Sequence, residues 1–377
     1  MKLGFLIDRW QPSRGGAERA LTRLASHLEG RGHEVLAFGE RGPLPADAAP
    51  GRFQRVSARG LMRGSRERSL AEAMLAAAER AGCDLTIGVR HLPRVDVYWP
   101  HGGCHRATLE LSGKRVTGRH RTFVELERDL LERGGARVVV CVSRLVRDEI
   151  VRHYPRSAAR SILVPNGVDL ERMAPHERAA ARARLEAELG WPREGPHECP
   201  RIGFVGRNAR LKGLDTLLAA LARLVDRPWR LVVAGLRRPR AWERAARDAG
   251  LGARVVVREW VADLDLAAGV DLCVLPTRRD PCPLSVLEAL ACGTPVITTA
   301  RAGCAEAIRP GRDGEVLADP EDSDALRAAV ADWLERVRSG AVDPGAVRSC
   351  VEDRGIGAWL ARMERAVLEA AERRAVR

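Results

Sequence analysis

Lysine is almost missing from this chain of 377 residues: Lys2, Lys114 and Lys212 are its only examples, although Lys and Arg together number 63. Arginine therefore carries nearly all the positive charge, and a lysine kept inside a loop stands out. Aromatic residues make up 4%, with two tyrosines, and there is no helix-turn-helix or RNP-like pattern, which argues against a nucleic-acid-binding module. No apolar run approaches the ~20 residues that cross a bilayer. The N-terminal stretch MKLGFLIDRW has a strand-length apolar patch and no small-residue cleavage site, so it is not a signal peptide and the expected location is cytoplasmic. The 9 cysteines are scattered and form no C-x-x-C pair, which points to reduced thiols over disulfides or a zinc site.

The length suggests about two domains of ordinary size. Net charge is +13, divided as +10 over residues 1–190 and +3 over 191–377, so one basic face on the first half would meet an anionic partner. Segments 59–68 and 114–121, with Leu61, Met62 and Val116 interleaved, supply much of that charge. They read as solvated loops or as a peripheral contact with anionic lipid. Strand-like and helix-like segments alternate through both halves, which implies α/β domains with parallel, doubly wound sheets. The expected division is an N-terminal domain 1–190, a proline-rich linker 191–200, a second domain 201–347 and a C-terminal segment 348–377. Trp359, Leu360, Met363, Ala366 and Val367 fall on one side of its helix.

The densest chemistry lies in 272–299. A buried strand, LCVLP, runs into a turn, then a helix over 284–292, then the strand PVITT. Such a turn sits at the carboxyl edge of an open sheet, where helix N–H groups can hold a phosphate. Asp280 and Glu288 bracket it, and carboxylates suit the hydroxyl donors of a sugar or ribose. Upstream, the strand RIGFVG leads into Arg207 and Lys212. Two cations before a helix oppose its dipole unless an anion is present, so they read as a grip on a diphosphate. Asn208 in this loop and Asn166 in the PNGVD loop are the only asparagines. Gly15 and Gly16 occupy the first strand-to-helix turn, where missing side chains allow close backbone approach. His101, after the strand DVYWP, is a titratable candidate with His105 as its competitor.

The run from Asp280 through Glu288 and into ALACGTPVI resembles the E-x7-E signature of glycosyltransferase family 4, with Asp280 where the family usually has Glu. The stretch from Arg119 resembles lipopolysaccharide core glucosyltransferases. This resemblance implies a GT-B fold: two Rossmann-like domains facing a cleft, with the last helix crossing back to the first. It implies a retaining, metal-independent transfer of a hexose from a nucleotide diphosphate sugar, UDP-sugar favoured, to a glycan or lipid-linked glycan of the cell envelope. Arg207 and Lys212 would hold the leaving diphosphate with Leu284 and Ser285 at the helix start, Asp280 would face the sugar, and Glu288 the ribose. Asn166 joins this donor set; Gly15 and Gly16 resemble the acceptor and phosphate loop; His101 matches a His near the reacting sugar; Glu306 matches a loop position. The alternatives are a GT-B sugar-nucleotide epimerase and, in another class, a basic nucleic-acid-binding protein.

Overall fold

The structure is a computed structural model that describes residues 1–11, 15–42, 52–60, 62–113, 115–236 and 238–375. Leu61 and Lys114 of the basic segments lie outside the described residues. The chain forms two compact units, one made of Met1–Pro165 with Gly357–Arg377, the other of Asn166–Ile356.

Unit 1 holds strands β1 (Lys2–Leu6), β2 (Glu34–Gly39), β3 (Arg52–Arg55), β4 (Leu85–Gly88), β5 (Val95–Tyr98), β6 (Ala136–Cys141) and β7 (Ser161–Leu163). Their order is β3-β2-β1-β4-β5-β6-β7, all parallel. Unit 2 holds β8 (Arg201–Val205), β9 (Arg230–Ala234), β10 (Val255–Val257), β11 (Leu272–Leu275), β12 (Val296–Thr299) and β13 (Gly314–Leu317), ordered β10-β9-β8-β11-β12-β13 and again parallel. Each order reverses direction once, between β1 and β4 in unit 1 and between β8 and β11 in unit 2. Ligands of doubly wound sheets bind outside the carboxyl ends of the strands at such a switch point. The central strands are unbroken apolar runs because helices cover both faces: every residue of β5, β11 and β12 is buried.

The expected linker at 191–200 is corrected. It lies within unit 2, whose boundary falls at Pro165 and Asn166, just after β7. Trp191 packs with Leu185, Leu189, Val232, Val261 and Val270 in one buried cluster. The guanidinium of Arg201 is fully buried, donating to Glu186 Oε1 at 2.9 Å, Cys199 O at 2.7 Å and Pro192 O at 3.0 Å. Three prolines lower the regularity of the backbone here without freeing it, because its carbonyls serve this buried cation.

The basic segment 59–68, expected as a loop, becomes helical from Arg63, inside the helix Arg63–Arg80. Within the two segments Arg66 pairs with Glu40 at 2.5 Å, Arg68 with Glu125 at 3.2 Å and Arg119 with Glu67 at 2.6 Å. Three cations of these segments are thus met by acids of the same unit. The last helix, Ile356–Ala375, joins unit 1 through buried Trp359, Met363, Ala366, Val367 and Ala370; Leu360 is only partly buried. Trp359 lies 5.8 Å from Trp99, and Glu364 accepts from His27 Nε2 and Arg31 Nε at 2.9 Å each.

Removing Arg201 would leave buried Glu186 with Arg182 alone, at 3.1 Å, and the Cys199 and Pro192 carbonyls without their buried donor. Arg201→Ala is expected to cost about 3 kcal/mol in unit 2, seen as a lower denaturant midpoint. A midpoint within error of the unsubstituted protein would show that Glu186 is satisfied without it.

Candidate functional site

The loops that leave β8 and β11 meet at the switch point of unit 2. The β8 loop is shaped by Asn208, whose Oδ1 accepts from Leu211 N at 3.3 Å and whose carbonyl accepts from Lys212 N at 3.0 Å. It ends at Gly213, the N-cap of the helix Leu214–Leu221, with φ of +78°. A Cβ at Gly213 would collide with the Pro276 carbonyl at the end of β11, so glycine is what lets the two loops touch. The contact is reinforced by Thr277 Oγ1 and Arg278 N, which donate to Leu211 O at 3.0 and 2.8 Å.

That approach brings Lys212 and Asp280 into an ion pair, with side chains 18% and 11% exposed. Asp280 is held from several directions. Its Oδ1 accepts from Cys282 N at 3.1 Å, its N–H donates to Arg301 O at 2.9 Å, and its carbonyl accepts from Gly303 N at 2.8 Å. Beneath the turn, Thr298 and Thr299 hydroxyls of β12 donate to Leu275 O and Thr277 O at 2.8 and 2.6 Å. Burial pushes the Lys212 ammonium down to about 8.

The helix after the turn, Leu284–Ala291, starts at Pro283, and no side chain caps it. Val286, Leu287, Ala289, Leu290 and Ala291 are buried, whereas Leu284, Ser285 and Glu288 are partly exposed along one stripe. An uncapped helix start near a lysine leaves backbone N–H groups and a positive charge of the kind that attract anions. Arg207 lies two residues beyond β8 with an exposed side chain. Asn166 is buried and hydrogen-bonded to the Cys282 thiol, which places the PNGVD loop under the same turn. Glu306 pairs with Arg354 at 3.5 Å, and Arg354 O accepts from Val168 N at 2.8 Å, so Glu306 serves to order the loop. None of the nine cysteines, all of them among the described residues, is in a disulfide.

Gly15, Gly16 and His101 belong to unit 1. Gly15 is the N-cap of the helix Gly16–Gly30 in extended conformation, and its carbonyl accepts from Arg19 N at 3.1 Å. His101 lines a cavity of about 350 Å³ at the carboxyl ends of β1 and β4. Burial drives its imidazole down to about 3, so it is neutral, and its buried Nε2 has no hydrogen-bond partner among the described residues. His105 is placed differently: its ring stacks on His120 with centroids 5.3 Å apart, and its backbone N–H donates to buried Glu127 Oε1 at 2.6 Å. Sequence reasoning missed Asp8, Glu67 and Arg90 in this cavity, as well as Thr298 and Thr299; the paired threonines ending a buried strand were the one available signal.

Two family models cover most of the chain: "Glycosyltransferase Family 4" matches residues 14–172 and "Glycosyl transferases group 1" matches 199–336. The chain belongs to glycosyltransferase family 4. A D-inositol 3-phosphate glycosyltransferase of Geodermatophilus obscurus is 36% identical over 235 residues, 55% of this chain and 50% of that protein. The match thus spans about half the length of that relative. The lipopolysaccharide glucosyltransferase WaaG of Escherichia coli is 25% identical over 356 residues, 90% of this chain and 93% of WaaG. The crystal structure of WaaG superposes with a TM-score of 0.82 at 21% identity, covering 96% of this chain and 98% of that one. Anabaena HepE in complex with UDP-glucose gives 0.75 at 17% identity, covering 97% and 99%. The family-4 chain therefore has the GT-B fold, each unit carrying its Rossmann-like sheet. Neither the epimerase nor the nucleic-acid-binding alternative gains support from these matches.

If the lowered ammonium of Lys212 holds an anion, affinity falls as pH rises through the range in which that ammonium loses its proton. Binding of UDP is expected to weaken above pH about 8 and to stay flat to higher pH in Lys212→Arg, measured by titration calorimetry. Parallel pH profiles for the two proteins would remove Lys212 from the anion site.

Proposed function

We propose that this protein is a retaining glycosyltransferase that moves a hexose from a UDP-sugar to a hydroxyl of a glycan or lipid-linked glycan in cell-envelope synthesis. The observation that carries the reading is the Lys212–Asp280 pair at the switch point of unit 2, beside an uncapped helix start. HepE has been solved in complex with UDP-glucose, and WaaG is involved in lipopolysaccharide biosynthesis, which supports the donor class and the envelope setting.

In this reading the diphosphate takes Lys212, Arg207 and the N–H groups of Leu284 and Ser285, while Glu288 accepts from the ribose hydroxyls. Breaking the glycosidic bond adds negative charge to the leaving diphosphate. Fixed cations and helix N–H groups meet that charge as it grows, with little reorganisation, so the scheme calls for no divalent metal. Asp280, held by its backbone and by Cys282 N, passes from pairing with Lys212 to accepting from donor-sugar hydroxyls once phosphate competes for the lysine. Asn166 supports the turn from below through Cys282. Unit 1 supplies the acceptor site, with Gly15 and Gly16 at its first turn and neutral His101 available to a sugar hydroxyl. Attack on the face that the leaving group vacates, with a phosphate oxygen as base, retains the anomeric configuration.

The proposed place of work is the inner face of a cell membrane. Among the described residues no helix is long and apolar enough to cross a membrane. Leu111 and Val116 are 50% and 45% exposed, close in sequence to Arg115 and Arg121, a composition that suits a peripheral contact.

Lys212→Ala is expected to lower turnover of a UDP-hexose by a factor of about 100 or more while leaving the far-UV circular dichroism unchanged. Turnover within a few-fold of the unsubstituted protein would end its catalytic role. Arg115→Glu with Arg121→Glu is expected to weaken sedimentation with vesicles of anionic phospholipid at low salt, at about 1 kcal/mol for each cation lost. Undiminished sedimentation would discard the membrane contact.

A further inference from the structure

The cavity of unit 1 sits at that unit's own switch point: Asp8 follows β1, Arg90 follows β4 and His101 follows β5. At about 350 Å³ it falls at the small end of the ~300–1,000 Å³ range of small-molecule sites, with room for a sugar ring. Its lining is strongly charged, yet three of its four guanidinium groups, those of Arg66, Arg90 and Arg119, are already engaged by carboxylates. Arg90, with a side chain 5% exposed, is clamped between Asp8 and Glu67, the latter at 2.9 Å. Arg119 pairs with the other oxygen of Glu67 at 2.6 Å and Arg66 pairs with Glu40 at 2.5 Å. Arg9 and Glu18, which complete the charged lining, are of opposite sign. His101 adds an uncharged ring whose buried nitrogen has no partner among the described residues.

A cavity lined this way treats a phosphate and a hydroxyl differently. A phosphate needs guanidinium donors; apart from exposed Arg9, it would reach them by displacing carboxylates that stay a few ångströms away and repel it. A hydroxyl donates to the spare lone pairs of Asp8, Glu40 and Glu67 and accepts from Arg or His101, leaving every ion pair in place. We infer that the unit 1 cavity is a subsite for an uncharged polyhydroxyl ring and that Glu67 and Glu40 exclude phosphate from it. This rests on the glycosyltransferase reading, with the acceptor in unit 1, and narrows the acceptor ring held there to one without a phosphate group.

The test uses the full chain and follows the ring protons of His101 by NMR during separate titrations with inorganic phosphate and with methyl α-D-mannopyranoside. The His101 signals are expected to stay in place with millimolar phosphate and not to favour it over the glycoside. In Glu67→Gln, which leaves Arg90 and Arg119 under-neutralised, a phosphate-dependent shift is expected, with affinity raised about tenfold or more. Glu40→Gln is expected to act in the same direction through Arg66 and gives a second reading should Glu67→Gln fold poorly. Phosphate moving His101 in the unsubstituted protein more strongly than the glycoside would overturn the inference. So would the absence of any gain in phosphate response in the folded variants. Binding of UDP in the same samples, lost on Lys212→Ala, reads unit 2 separately, so failure of the donor site is distinguishable from failure of this one.

Discussion

The contact between the Lys212 ammonium and the Asp280 carboxylate is the constraint around which unit 2 is arranged. It spans two loops that are far apart in sequence and adjacent only because β8 and β11 are neighbours. Everything close to it serves that approach: a left-handed glycine at 213 that clears the Pro276 carbonyl, an asparagine that folds the lysine loop, and two threonine hydroxyls that fix the strand end under the turn. A largely buried ion pair is an ambiguous asset for stability, because desolvation offsets much of the attraction. Its value here is positional. The lysine is held against Asp280, four residues ahead of an uncapped helix start.

Unit 1 solves the corresponding problem with the opposite balance. Its switch point carries several acids, each engaged with arginine, around a neutral histidine. One sheet topology thus carries a lysine–aspartate pair near an uncapped helix in unit 2 and several arginine–carboxylate pairs around a histidine in unit 1. The difference lies in loop residues alone, as expected where function is grafted onto a shared scaffold.

Legibility from sequence followed the range of the interactions. The strand at 272–275, the helix from Leu284 and the strand 296–299 were readable because complete burial leaves unbroken apolar runs punctuated by Pro283 and Gly293. Lys212 stood out against an arginine background. The stretch 191–200 misled because proline content marks irregular backbone, and irregular backbone is equally able to be buried when an arginine such as Arg201 collects its carbonyls. The segment 59–68 misled because cations interrupted by glycine look like a solvated loop until Glu40 and Glu125 are placed beside them. Arg90 with Asp8, 82 residues apart, leaves no local trace at all.

The discontinuity of unit 1 has a consequence for the order of assembly during synthesis. Its first 165 residues leave the ribosome long before the closing helix, which supplies Trp359 against Trp99 and Glu364 against His27 and Arg31. Unit 2, by contrast, is one uninterrupted stretch. All of unit 2 is therefore synthesised before the last piece of unit 1, and Trp99 gains its Trp359 neighbour only when that helix emerges.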